Sequence, residues 1–218
     1  MVLTELELRL CAGALGYTHL NGFGDLDSYE GDSAKNIQGQ DYDVIKSKLS
    51  ENRILEMVDG KYRFPAIGQL MIRMIAEPDA WFICSNREKS VSRRFYVLGA
   101  DYLCIDEEDG RHNLILLPLL PLAMGGCAKM LEDVRPPAEG LREQDLQDLW
   151  EKESCVIHLE GLSGERYLSI DVSGKSIMKK VDGGETAYAL FSEEGCVNSI
   201  TKWLLQGLKE KGDEIDVD

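Results

Sequence analysis

The sequence predicts an α+β fold in which antiparallel meanders are flanked by helices. Three observations carry this. Apolar residues recur at helical spacing in two early segments and then, from Trp81 onward, fall into short β-type runs. Polar turns separate those runs at short intervals. The order helix, four-stranded meander, helix then recurs after Pro136-Pro137, although no residue-level repeat accompanies it.

The first helix is expected from about Thr4 to Leu15. Leu6, Leu10 and Ala14, with Leu3, Cys11 and Leu15, fall on one face, Thr4 is the N-cap and Gly16 the stop. Residues 16–40 are rich in Gly, Asp, Ser and Asn and read as a long loop. A second helix starts at Asp41, with Ile45 and Leu49 on one face. Two apolar strips around Asp59-Gly60, Ile54–Val58 and Lys61–Phe64, signal a hairpin. Pro65 suits the first position of a third helix, striped by Ile67, Leu70, Met71, Met74 and Ile75 and closed by Glu77-Pro78.

Trp81–Cys84, Phe95–Leu98, Tyr102–Ile105 and Leu114–Leu117 are the strands of the first meander. Ser85–Arg93, Gly99–Asp101 and Asp106–Asn113 are their turns. Leu119 to Leu131 reads as a helix with Leu120, Ala123, Met124, Cys127 and Leu131 inward. After the two prolines come a helix from Leu141 to Glu151 and strands at Cys155–Leu159, Tyr167–Val172, Ile177–Val181 and Ala187–Phe191. A last helix is striped by Ile200, Trp203, Leu204 and Leu208. The expectation is one α+β domain over 1–212, divisible into halves 1–135 and 138–212, and an acidic disordered tail over 213–218.

The 218 residues include 39 acidic and 24 basic side chains, a net charge of -15. A chain of this size buries enough surface to fold without metals or disulfides. Its charge argues against bulk nucleic-acid binding and against an anionic membrane surface. The N-terminal stretch has early acids and no basic region, unlike a secretory signal. The apolar run from Leu114 to Ala128 is too short and too interrupted by Pro118, Pro121, Gly125 and Gly126 to span a bilayer. Cys11, Cys84, Cys104, Cys127, Cys155 and Cys196 are widely spaced, contain no CxxC and read as buried free thiols. A reducing, cytoplasmic setting follows as the expectation.

Catalytic and metal motifs fail one after another. Gly174-Lys175-Ser176 lacks the glycine a phosphate-binding loop needs, since Ser169 stands there, and a strand rather than a helix should follow. Gly161-Leu162-Ser163-Gly164-Glu165 misses a nucleophile elbow at its last position. Asp25-Leu26-Asp27 starts like a calcium loop, but Tyr29 and Glu30 break it. His19, His112 and His158 are scattered and read as solvated or satisfied, His112 within a turn. The acidic run Asp106–Gly110 reads as a solvated hairpin turn. No enzyme, cofactor or metal site is expected. Arg87, Lys89, Arg93 and Arg94 form a basic loop between two strands that could take an anionic partner segment.

Helix 41–53 followed by hairpin 54–64 also reads like a winged-helix unit, which makes a transcriptional regulator the alternative. Residues 41–75 hold six basic residues (Lys46, Lys48, Arg53, Lys61, Arg63, Arg73) against five acidic ones (Asp41, Asp43, Glu51, Glu56, Asp59). A balance of +1 is small for a phosphate-driven affinity.

The order of elements resembles the EspG family, cytoplasmic chaperones of mycobacterial type VII (ESX) secretion, and their bacterial Gram-positive relatives. Leu3-Thr4-Glu5-Leu6-Glu7 opens a helix ending in Ala14-Leu15-Gly16, and Leu49 to Phe64 gives a short helix and hairpin. Ala66 to Pro78 looks like the family's helix ending in a proline, and Trp81-Phe82-Ile83-Cys84 and Tyr96-Val97-Leu98-Gly99 like strands of its central sheet. The resemblance implies a binding protein that holds a helical secretion substrate soluble and export-competent. It transfers no individual binding residue.

A candidate docking segment follows the first meander. Leu114 to Leu122 contains no polar side chain, so it must be covered on both sides, by the chain's own helices or by a partner. Pro118 and Pro121 end ladder pairing. Leu116, Leu119 and Leu120, with the basic loop, are the expected partner-binding residues.

Overall fold

A computed structural model describes residues 1–25, 44, 46–47, 49–51, 54–86, 91–117, 120, 125, 128, 131, 137, 139–150, 153–160, 166–171 and 176–215. Expectations that fall elsewhere, including Leu119, Arg87, Lys89, Cys127 and the turns at 161–165 and 172–175, lie outside the described residues. The fold is α+β with antiparallel strands, as the sequence predicts. Its strands are β1 (Val2–Thr4), β2 (His19–Leu20), β3 (Gly24–Asp25), β4 (Glu56–Val58), β5 (Lys61–Arg63), β6 (Ala80–Asn86), β7 (Val91–Leu98), β8 (Asp101–Glu108), β9 (Arg111–Leu117), β10 (Glu153–Glu160), β11 (Arg166–Asp171), β12 (Ile177–Asp182) and β13 (Glu185–Leu190). The helices whose bounds are described are α1 (Glu5–Ala14), α2 (Ala66–Ala76), α3 (Leu146–Leu149, preceded by a 3-10 turn at Glu143–Asp145) and α4 (Glu193–Ile215), and residues 44, 46–47 and 49–51 are also helical, within the predicted second helix. The chain divides into two compact units, 1–78 with 105–116 and 79–104 with 117–218, so the chain passes between them after Pro78, within β8 and at the end of β9.

In the first unit, α1 starts at a capping box. The amide of Glu7 donates to Thr4 Oγ1 at 3.2 Å, and the amide of Thr4 donates to Glu7 Oε2 at 2.8 Å. Gly16, at φ +88°, supplies the left-handed step that ends it, as the sequence predicts. The residues just before α1 pair with β9 as Val2↔Asn113 and Thr4↔Arg111, a strand the apolar pattern does not reveal because it is three residues long. Leu3, Leu8, Cys11, Leu20, Ile54, Ile72, Met74 and Ile75 are buried. The predicted loop from Gly16 contains the small hairpin β2–β3, and Asn21 Nδ2 donates to the carbonyls of Ile75 and Ala76, both at 3.0 Å. That satisfies acceptors that the end of α2 leaves open. The Asp59-Gly60 hairpin forms as predicted, with both residues at positive φ. His112 is not in a turn. It lies on β9, 3% exposed, with its ring edge-on to Phe23 at 5.0 Å between centroids.

In the second unit the strand order is β7-β6-β10-β11-β12-β13, each neighbour antiparallel. The second meander joins the first through β6 and β10, from Cys155↔Asn86 to Glu160↔Trp81. Every predicted strand in the described residues is present, most of them longer than the apolar runs that signalled them. The extensions carry polar residues such as Arg93, Asp106 and Glu185, which an apolar run cannot signal. Helix 141–151 is shorter than predicted, and α4 is longer, since residues 213–215 continue the helix where the sequence reads as tail. Lys and Glu are good helix formers, which offsets the cost of Gly212.

Candidate partner-binding groove beside the last helix

Side chains on a strand alternate, so each strand of the second unit presents one set to α4 and the other away from it. Ala80, Phe82 and Cys84 on β6, Phe95 and Val97 on β7, Leu168 and Ile170 on β11, and Met178 on β12 share the first face by register. They form one buried cluster with Cys196, Ile200, Trp203 and Leu204 of α4. The stripe predicted for the last helix is therefore the one that packs. Phe82 and Phe95 stack across the strands at 4.6 Å between centroids.

A polar clamp fixes α4 on this face. Trp203 Nε1 donates to Asp182 Oδ2 at 2.7 Å, Arg166 Nε donates to Asp182 Oδ1 at 3.1 Å, and Lys180 Nζ lies 4.9 Å from the centre of the Trp203 ring. Burial raises the Asp182 carboxyl, but the hydrogen bonds from Trp203 and Arg166 and the charges of Arg166 and Lys180 outweigh it and hold the group below the ordinary carboxylate value.

Beside α4 lies a mainly apolar cavity of about 460 Å³, lined by Leu120, Gly125, Ala128, Val197 and Thr201, with Glu193 and Glu194. Residues 120, 125 and 128 are helical, as predicted for that segment. Leu120 and Val197 also pack against the core cluster, so the cavity floor is continuous with it. A second depression of about 500 Å³ runs along α4 past Asn198, Thr201, Lys202, Leu205, Gln206 and Lys209, where Leu205 is 54% exposed.

The expected partner-binding residues are distributed as follows. Leu120 lines the cavity. Leu116 is half-buried on β9 and belongs to the other compact unit. Of their run, Leu114 is buried, Leu117 packs against the second unit's core, and Ile115 is 38% exposed. Arg93 and Arg94 are not loop residues. They lie on β7 opposite Cys84 and Ile83, so their side chains leave opposite faces of the sheet and do not make one basic patch. Val197, Thr201, Glu193 and Glu194 are the residues the sequence reading missed. Their only signal is their place on the flank of the α4 stripe.

Among the described residues no group of three His, Cys, Asp or Glu side chains could hold a metal, and no helix is long and apolar enough to cross a membrane. Ser176 is followed by strand β12, where a phosphate-binding loop requires a helix.

No family model matches the chain, and none of the curated proteins does. Among solved structures, the chain is similar in fold to one in the complex of the Mycobacterium tuberculosis type VII secretion system chaperone EspG5 with the PE25–PPE41 dimer. The TM-score is 0.61 at 8% identity, over 94% of this chain and 95% of the other. The fold is thus of the kind the sequence resemblance implies.

Proposed function

We propose that the protein is a cytoplasmic binding protein of the type VII secretion chaperone kind, which holds a helical substrate soluble until export. It acts without catalysis and without a cofactor, and it neither binds nucleic acid nor inserts into a membrane. The observation that carries this reading is the apolar cavity beside α4, open to solvent and continuous with the core, on a fold similar to a chaperone solved with its protein partner. Apolar pockets of about 300–1,000 Å³ are the size that receives ligands or anchoring side chains. An exposed apolar depression on a soluble chain costs solubility unless something covers it.

Co-expression tests the reading. The full chain is produced with the small helical proteins encoded beside it. The expected result is a partner that aggregates alone and elutes with this chain as one complex in gel filtration. Thr201→Arg, which fills the cavity from its half-buried wall, should abolish the complex while the circular dichroism spectrum stays unchanged. Small helical neighbours that are all soluble without the chain and never co-elute with it would overturn the proposal.

A further inference from the structure

Glu193 and Glu194 stand in the first turn of α4 at the mouth of the apolar cavity, both exposed. Neither carboxylate has an ion-pair partner among the described residues. Two full charges exceed the roughly half positive charge of a helix N-terminus, so the mouth stays negative. The described lining of this cavity contains no basic residue. The chain as a whole carries -15, which draws cationic partners toward every surface and, here, toward an apolar socket.

We infer that the cavity takes an apolar side chain presented by a partner helix whose adjacent residues are Lys or Arg. The inference rests on the chaperone reading and adds the chemistry of the substrate's docking tip. Burial of the apolar anchor supplies most of the binding, and the flanking cations select the partner through Glu193 and Glu194. Rim charges of this kind act more on specificity and encounter rate than on total affinity.

The test uses the full chain and two synthetic helical peptides of identical Leu/Phe face, one flanked by Arg and one by Glu. Fluorescence anisotropy at low salt is expected to show the Arg peptide binding roughly fivefold to tenfold tighter, the size that two exposed charge pairs give. The preference should shrink as salt is raised. In the variant E193Q/E194Q most of that preference should be lost, leaving only what the chain's overall negative charge gives, while the Glu peptide binds no worse than before. Thr201→Arg should weaken both peptides.

Equal binding of the two peptides, a preference undiminished in E193Q/E194Q, or no binding of either peptide would each overturn the inference. The chaperone reading is judged separately by co-elution of the natural partner. A partner that co-elutes equally with the wild type and with E193Q/E194Q leaves that reading standing while the charge selection fails.

Discussion

The indole N–H of Trp203 on α4 donates to Asp182 at the end of β12, 2.7 Å away, and the same carboxylate accepts from Arg166 on β11. One side chain thus ties the last helix to two strands. Asp182→Asn keeps an acceptor for the indole but loses the charge that Arg166 and Lys180 face. A loss of about 1.5–3 kcal/mol in urea unfolding at pH 7 is expected, the range for hydrogen bonds to a charged group. Because the folded-state carboxyl titrates below its ordinary value, its contribution is present above the unfolded value near pH 4 and is lost as pH falls through the lower folded value. Wild-type stability should therefore fall more steeply than that of the variant as pH is lowered below about 4.

Cys11, Cys84, Cys104 and Cys196 are buried thiols outside any disulfide, and burial, with Glu7 nearby, pushes the Cys11 thiol up to about 12. The thiolate is the reactive form, so these four should resist a thiol reagent at pH 8 in the native protein and react once it is unfolded. Peptide mapping by mass spectrometry identifies the labelled sites. Rapid native labelling of Cys11 would contradict the packing of α1.

Gly110 turns β8 into β9 at φ +70°, beside Asp109 at φ +50°, and open space surrounds the position a Cβ would take. Gly110→Ala should therefore cost about 1 kcal/mol from backbone strain alone, with no clash to add to it. Thermal unfolding of the variant measures it. A loss several times larger would mean that the turn is packed against something.

Hairpin β4–β5 has the shape of a wing, with exposed Lys61 and Arg63, yet Arg63 pairs across the ladder with Glu56. Nanomolar binding to a defined DNA duplex at about 0.15 M salt is not expected, because little phosphate charge can be neutralised there. A mobility-shift titration with a steep salt slope would restore the regulator reading.

The sequence made much of the interior legible, although the face predicted for α1 did not hold: Leu8, Cys11 and Ala12 are buried there, while Leu6 and Leu10 are half-buried and Ala14 is exposed. Trp203, Ile200 and Leu204 announce the packed face of α4 because helical spacing puts them together. Asp59-Gly60 announces its hairpin because left-handed turns select those residues. Arg93 and Arg94 misled because adjacent basic residues read as a loop, although alternation lets a strand carry both on opposite faces. His112 misled because a polar side chain beside Asp-Gly reads as a turn, whereas β1 covers it through a pairing between residues over a hundred positions apart. The groove was illegible for a related reason. It is assembled from Leu120 and Val197, and nothing local to either indicates the other.

The ladder between β6 and β10 has a consequence for the order in which the chain is completed. Asn86 must find Cys155 and Trp81 must find Glu160, so the pairing closes loops of roughly 70–80 residues. Until β10 leaves the ribosome, β6 offers one bare row of amides and carbonyls to any passing strand. A nascent chain halted near Pro136 would expose that row with Phe82 and Cys84 not yet covered by α4. Such a species is prone to self-association, and it would be a client for folding assistance before it could hold a client of its own.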